Sequence, residues 1–297
     1  MLPILSFEDF EHLRLIKESI DQQFGIVAES LTNDIDKNLK IGIVIATHKI
    51  DNSRSNYMDT PTVLKECLES IASQKYENWK VFIVADCYDG DDEIKKVMES
   101  CVKGKYEYHN LAKPGERDLN IPTNEKKITG GTTAWNKGIV MAEKAGMDVI
   151  AKIDHDDKWK NNHLTCLAQA YTQYPEAAFV FTKAAKKPIG GGTNKRILYY
   201  PNQASVKTVT EDNHFAKGGD TSHSAISWRL LPGIKGVRYR GSADQKSSEP
   251  KRKEVVPVDA DIYSLIKTRI EDKGYKYVYV PELTSLYRNA EGAFPNK

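Results

Sequence analysis

Apolar positions along the chain follow two rhythms, and their order predicts the architecture. Phe7, Phe10, Leu13, Ile16, Ile20, Phe24 and Val27 recur every three or four positions. This predicts an N-terminal helical arm over residues 1–40, started by Ser6 and Asp9. Ile41 to Ala46 is then a continuous, mostly β-branched run, the signature of a strand buried on both faces of a parallel sheet. A helix follows from about Pro61 to Ser73, with Val63, Leu64, Cys67, Leu68 and Ile71 on its apolar face and Pro61 in its first turn. A second buried run, Val81 to Val84, precedes a helix near 93–101 and a short strand around Tyr106. After a long polar stretch from Lys113 to Thr129, Gly130 and Gly131 open a helix that runs to Ala145 and leads to a third strand carrying Val149, Ile150 and Ile153. Strands alternating with helices in this way predict an α/β fold around a mostly parallel sheet.

The second half repeats the pattern less regularly. A helix from His163 to Tyr174, with Leu164, Leu167, Ala168 and Tyr171 facing inward, leads to a strand at 178–181. Lys186 to Lys195, with glycines at 190–192, reads as a flexible loop or a hairpin connection, and Tyr199 and Tyr200 after it read as packing or as a carbohydrate platform. Gly241 to Glu254, rich in Ser, Lys and Arg and without apolar side chains, reads as a mobile loop. Pro257 then precedes a helix with Ile262, Leu265, Ile266 and Ile270, and Gly274 separates that helix from a final strand.

Composition sets limits on this picture. The 297 residues suffice for one large α/β domain with a substantial core. Lys and Arg number 43 against 41 Asp and Glu, so no global positive field speaks for a nucleic-acid partner. Cys67, Cys87, Cys101 and Cys166 are dispersed without zinc-type spacing, as expected of free thiols in a reducing compartment. No apolar run approaches the roughly 20 residues of a membrane span. The expected location is cytoplasmic, with peripheral contact to a membrane left open.

The candidate chemistry lies where strands end in acid. The third strand stops at Asp154-His155-Asp156-Asp157, at the carboxyl end where open α/β sheets bind ligands. Carboxylates there suit a hard divalent ion shared with substrate phosphates, Mn2+ or Mg2+, although an acidic turn that caps the next helix would read the same way. The second strand ends in Asp86, placed to accept hydrogen bonds from a base or ribose.

The ordered set is more specific than its parts. Thr47-His48-Lys49 after the first strand, the helix containing Leu64-Lys65-Glu66-Cys67-Leu68-Glu69, Asp86, the Ala134-x-Asn136-x-Gly138-Ile139 helix and Asp154-x-Asp156 together resemble glycosyltransferase family 2 on a GT-A fold, over about residues 41–185. Beyond them, the resemblance extends to Thr221–Arg229 around His223 and to the ending Asp259-Ala260-Asp261, helix, Gly274, strand, Pro281-Glu282, Tyr287-Arg288. The chain departs from the family pattern with Ala85 before Asp86, with Trp135 before Asn136 and with Ala260 between the two late acids.

The resemblance implies a GT-A (Rossmann-like) central sheet flanked by helices. Residues 41–157 would form the nucleotide-sugar-binding half and 158–297 the acceptor-binding and catalytic-base half of the same domain, beside the helical arm. It implies a metal-dependent, inverting transfer of a sugar from a nucleoside diphosphate, UDP by default, to a hydroxyl of a glycan or other acceptor. Thr47, Asp86, Gly131, Asn136 and Asp154 would contact the donor. Asp154 and Asp156 would hold the metal, with Asp156 the more direct ligand, Asp157 in support and His223 a further candidate ligand. Trp159, His223 and Arg288 would meet acceptor or diphosphate, and Asp261, or else Asp259, would be the catalytic base. The stripe of the N-terminal helix would also serve a homodimer. Two rivals share the fold: a nucleotidyltransferase acting on sugar phosphates, disfavoured by the lack of a Gly-rich phosphate loop after the first strand, and a catalytically silent carbohydrate-binding protein.

Overall fold

Ten strands hydrogen-bond into one sheet in this computed structural model, which describes residues 25–50, 58–116, 129–186, 198–200, 225–248, 255 and 258–288. In chain order its elements are β1 (Gly25–Val27), β2 (Ile41–Thr47), α1 (Thr60–Ala72), β3 (Trp79–Ala85), α2 (Asp91–Val102), β4 (Tyr106–Asn110), α3 (Thr132–Lys144), β5 (Val149–Lys152), β6 (Lys158–Trp159) and α4 (His163–Gln173). They continue as β7 (Ala177–Lys186), β8 (Leu198–Tyr200), β9 (Ala225–Arg229), α5 (Ser242–Ser248), α6 (Val258–Lys273) and β10 (Lys276–Tyr287). The sheet order is β1-β10-β7-β9-β5-β2-β3-β4, with β6 against β10 and β8 against β7. β2 lies parallel to β3 and β5, and β10 parallel to β7. β9 runs antiparallel between β5 and β7, which joins the two halves of the chain in one mostly parallel sheet.

Strand alternation assigns the two faces. Ile41, Ile43 and Ile45 point to a core shared with Leu64, Cys67 and Leu68 of α1, Met98 of α2 and Leu167 of α4. Val44, Phe82 and Ile150 point the other way, to Trp135 and Ile139 of α3 and Ile262 and Ile266 of α6. Helix α1 begins where Asp59 accepts a hydrogen bond from Thr62 N at 2.8 Å, with Pro61 in the first turn. The Thr62 bonds hold the Asp59 carboxyl below its usual pKa.

Gly138, which the helical pattern left without a reason, has one here. A Cβ at that position would stand 2.5 Å from Val44 Cγ1, so α3 packs on β2 through a missing side chain. Val44 is β-branched and cannot swing aside easily. Gly138→Ala gains about 1 kcal/mol of helix propensity and meets about 1–3 kcal/mol of overpacking strain. We expect a net loss of stability, read as a lower urea midpoint with an unchanged slope.

Two expectations are corrected. The helical arm does not reach Val27, because Gly25–Val27 pairs as a strand with Tyr277–Tyr279 of β10. Gly25 weakens a helix there, and the open edge of β10 offers main-chain partners instead. Residues 1–24, with the proposed dimer stripe, lie outside the described residues. The polar segment after Gly241 is likewise not simply a loop, since Ser242–Ser248 forms a short helix seated on buried Ser242 and Gln245. Gln245 donates to Arg240 O at 3.1 Å, so a polar side chain does the anchoring that the apolar pattern could not predict.

Candidate active site

Strand β5 delivers the central carboxylates. Ile150 and Lys152 point to the α3–α6 face, whereas Ala151 and Ile153 point to the α1–α4 face. Lys152 is the anomaly of that strand. It is 6% exposed, and its ammonium lies 3.2 Å from Asp154 Oδ1, 3.1 Å from Asp259 Oδ1 and 4.8 Å from the centroid of the Trp135 ring. Burial favours the neutral amine, but the charges of Asp154 and Asp259 outweigh it and hold the pKa well above the ordinary lysine value. Trp135, in doubt as a departure from the family pattern, thus forms a wall for this ammonium.

The late acids separate in space. Both lie in the first turn of α6 rather than before it. The Asp259 side chain is 19% exposed and meets Lys152. Burial raises its pKa, with Lys152 opposing the shift and Asp154 adding to it. Asp261 is 0% exposed, and both of its carboxylate oxygens accept from Arg240, one of them from Nε at 2.8 Å. A carboxylate locked in a bidentate pair is poorly placed to accept a substrate proton. Arg240 also donates to Ser248 Oγ at 2.7 Å, tying α5 to the start of α6.

The neighbouring residues form a strap over this centre. Asn136 donates to Tyr239 O at 2.9 Å and accepts from Tyr239 N at 2.8 Å. The Asn136 amide is therefore engaged by main chain and positions Tyr239. Tyr239 is buried at 2% exposure, and burial, then the charge of Asp259, keeps its phenol protonated. Its hydroxyl lies beside Asp259 without hydrogen-bond geometry. Tyr287 is held protonated by burial and then by Asp157.

At the end of β5, Asp154 and Asp156 are partly exposed and Asp157 is buried. Asp157 accepts from Arg288 N at 2.9 Å, and Arg288 Nε donates to Asp156 O at 2.9 Å. Arg288 also pairs with Glu66, which Lys158 reaches at 2.9 Å. Burial pushes the Glu66 carboxyl up, but the hydrogen bonds from Lys158 and Arg288 win and hold it below its usual value. Arg288 thus clamps the acidic loop, with its side chain 1% exposed. Trp159, also expected near acceptor or diphosphate, is likewise buried. It is 4% exposed, and its ring packs 4.1 Å from the His163 ring.

The residues expected on the donor side differ in their surroundings. Thr47, at the tip of β2, is 1% exposed, and its hydroxyl has no hydrogen-bond partner among the described residues. An orphan buried hydroxyl at a strand tip is a reason to look for a ligand there. Asp86 is 9% exposed and accepts from Gly115 N at 2.6 Å. Gly131 adopts φ +89°, the left-handed turn into α3 that glycine permits. The helix start behind it is already capped, because Glu116 accepts from Thr133 N at 3.0 Å and from Thr133 Oγ1 at 2.7 Å. Gly131 therefore shapes a turn more plainly than it offers amides to a phosphate. His155 is buried, with Nδ1 3.3 Å from Ala46 O and its ring edge-on to His48 at 4.9 Å. His223 and the glycines at 190–192 lie outside the described residues.

Among the described residues, no three His, Cys, Asp or Glu side chains converge to hold a metal ion by themselves. The oxygen chemistry of Asp154 and Asp156 nonetheless suits a hard divalent ion completed by a ligand's phosphates. Burial, and then the charges of Asp156 and Asp154, push the Asp157 carboxyl well above its usual pKa. That is a concentration of negative potential which a cation would relieve. The missed residues were Lys152, Tyr239 and Arg240. Only Lys152 left a sequence signal, a charged side chain inside an apolar strand.

Comparisons with known proteins bear on the family and the fold. The family described as Glycosyl transferase family 2 matches residues 55–222, more than half of the chain, and ends before the α6 carboxylates. An uncharacterized glycosyltransferase, R139, of Acanthamoeba polyphaga mimivirus is 28% identical over 270 residues, covering 90% of this chain and 100% of that protein. The uncharacterized protein y4gI of Sinorhizobium fredii is 26% identical over 147 residues, 49% of this chain and 14% of that protein. Among solved structures, S. aureus TarS 1-349 in complex with UDP is similar in fold, with a TM-score of 0.51 and 12% identity. The alignment covers 83% of this chain and 59% of the TarS chain. Among the described residues no helix is long and apolar enough to cross a membrane. From its GT-A sheet, its strand-end carboxylates and the match over residues 55–222, the chain belongs to glycosyl transferase family 2.

Proposed function

We propose that this glycosyltransferase moves a sugar, with inversion, from a nucleoside diphosphate to an acceptor hydroxyl. UDP is the default nucleotide, and a glycan is the default acceptor. The observation that supports this most is the division of acid around Lys152: Asp154 and Asp156 at the end of β5 on one side, Asp259 on α6 on the other. Donor activation and proton removal need separate carboxylates, and these elements supply them from different parts of the chain. Thr47 and Asp86 at the tips of β2 and β3 would face the nucleoside. Residues 158–297 would carry the acceptor.

In this reading Asp259, not Asp261, is the base. Its carboxylate takes the proton of the acceptor hydroxyl as that oxygen bonds to the anomeric carbon. The bond from that carbon to the diphosphate breaks, and the diphosphate leaves with the electron pair. Asp156, with Asp154, would hold the divalent ion, which when bound supplies positive charge to the departing diphosphate. Arg288 and Glu66 keep the acidic loop in place, and the buried Tyr239 beside Asp259 lowers the local dielectric, so that charges there interact more strongly than in bulk water.

A thermal-shift series with UDP, GDP, UDP-glucose and UDP-N-acetylglucosamine, each with and without Mn2+, tests the reading. A ligand at 100 times its Kd stabilises the native state by about 2.7 kcal/mol, so a shift of several degrees that requires Mn2+ is expected. No shift with any nucleotide under either condition would sink the proposal. Release of pyrophosphate from a nucleoside triphosphate and a sugar phosphate would favour the nucleotidyltransferase instead.

A further inference from the structure

A lysine is unneeded for the sheet at position 152. Strand β5 is buried on both faces, and an apolar side chain would continue the pattern of Val149, Ile150 and Ala151 without desolvating a charge. The chain instead places an ammonium there, 6% exposed, against the face of Trp135. Its two carboxylate partners come from opposite functional sides, Asp154 from the donor end of β5 and Asp259 from the first turn of α6. Two carboxylates gathered in a buried site repel each other unless a positive charge lies between them. The side chain that supplies this charge is anchored in a central strand, between β9 and β2.

We propose that Lys152 is the positioning residue of the transfer: its buried ammonium holds the donor-side carboxylate of Asp154 and the base carboxylate of Asp259 on either side of one charge, and so sets the gap across which the sugar moves. The inference rests on the transferase reading for its consequence, whereas the geometry stands by itself. Lys152 touches neither sugar nor acceptor in this role. It acts through Asp259, and its pairing with Asp154 Oδ1 leaves Asp156 as the carboxylate better placed for the ion. The Trp135 ring lies against the ammonium, its centroid 4.8 Å away, and Tyr239, held by the Asn136 amide, stands 6.0 Å from Trp135 between ring centroids.

The test uses the full chain with Lys152→Met, Asp259→Asn and the double variant. Turnover is read as UDP released from UDP-glucose and UDP-N-acetylglucosamine with Mn2+, and crystal structures of the wild type and Lys152→Met are compared. Lys152→Met should lower kcat about 100-fold with the donor KM within about threefold, because a misplaced base harms the reaction step more than binding. In the Asp259→Asn background the same change should cost less than about threefold, since the group through which Lys152 acts is already gone. In the crystal, the Asp154 and Asp259 carboxylates should move apart in Lys152→Met. The double variant removes one of the two carboxylates together with the lysine, so that if the single variant fails to fold, a loss of more than about threefold from Asp259→Asn to the double variant overturns the proposal by itself. An equal loss of kcat in both backgrounds, or unmoved carboxylates in the Lys152→Met crystal, would overturn the proposal. A wild-type protein that binds no nucleotide and releases none overturns the transferase reading, and the crystal comparison still judges Lys152.

Discussion

Asp259→Asn should lower turnover by about 10²–10⁴-fold, the usual contribution of a general base, and leave the Kd for UDP within about threefold. The amide keeps the size of the carboxylate and an oxygen for Lys152, but it cannot take the proton of an acceptor hydroxyl. Asp261→Asn should behave in the opposite way. Asp261 is 0% exposed and holds the Arg240 guanidinium, so its loss strands a positive charge at the start of α6. Breaking a buried pair typically costs about 3–5 kcal/mol, and the 17% exposure of the Arg240 side chain puts the expected loss toward the lower end. Activity per folded molecule should survive in that variant. Steady-state turnover measured beside thermal melting separates the two effects. A folded but inactive Asp261→Asn next to an active Asp259→Asn would reverse the assignment.

The second large effect concerns the donor side. Asp156→Ala should weaken UDP binding in Mn2+ by at least about 100-fold, because even outer-shell partners of a bound metal are worth 10–100-fold in affinity. Binding measured without Mn2+ should hardly change. Asp156 suits this role because its carboxylate is partly exposed, while its main-chain oxygen is held by Arg288 Nε at 2.9 Å. The clamp holds Asp156 through its main chain. Isothermal calorimetry of UDP with and without Mn2+ measures both quantities, and an unchanged Kd in Mn2+ would remove Asp156 from the donor site.

Much of the fold was legible because the periodicities are local. Ile41–Thr47, Trp79–Ala85 and Val149–Lys152 are strands, and Thr60–Ala72, Thr132–Lys144 and His163–Gln173 are helices, each within a few residues of the pattern that predicted it. The short helix Ser242–Ser248 escaped because its anchors, Ser242 and Gln245, are polar. Site residues were harder for a related reason. Asn136, Trp159 and Arg288 sit where a family motif would place ligand contacts, yet each is engaged inside the protein by Tyr239, His163 or the acidic loop. A motif records which side chain stands at a position, whereas its partner comes from a segment as far away as Arg288 is from Glu66.

The stretch ending in Asp154, Asp156 and Asp157 was determined by the sequence alone to be an acidic strand end, since an apolar run followed by carboxylates can be read within a dozen residues. Tertiary structure decided what that end does next. It brought Lys152, Trp135 and Asp259 together, buried Asp261 against Arg240, and turned Arg288 into a clamp. Those outcomes depend on contacts between distant segments, and burial and pairing, which decide whether a carboxylate holds a salt bridge or accepts a proton, exist only once those segments have packed.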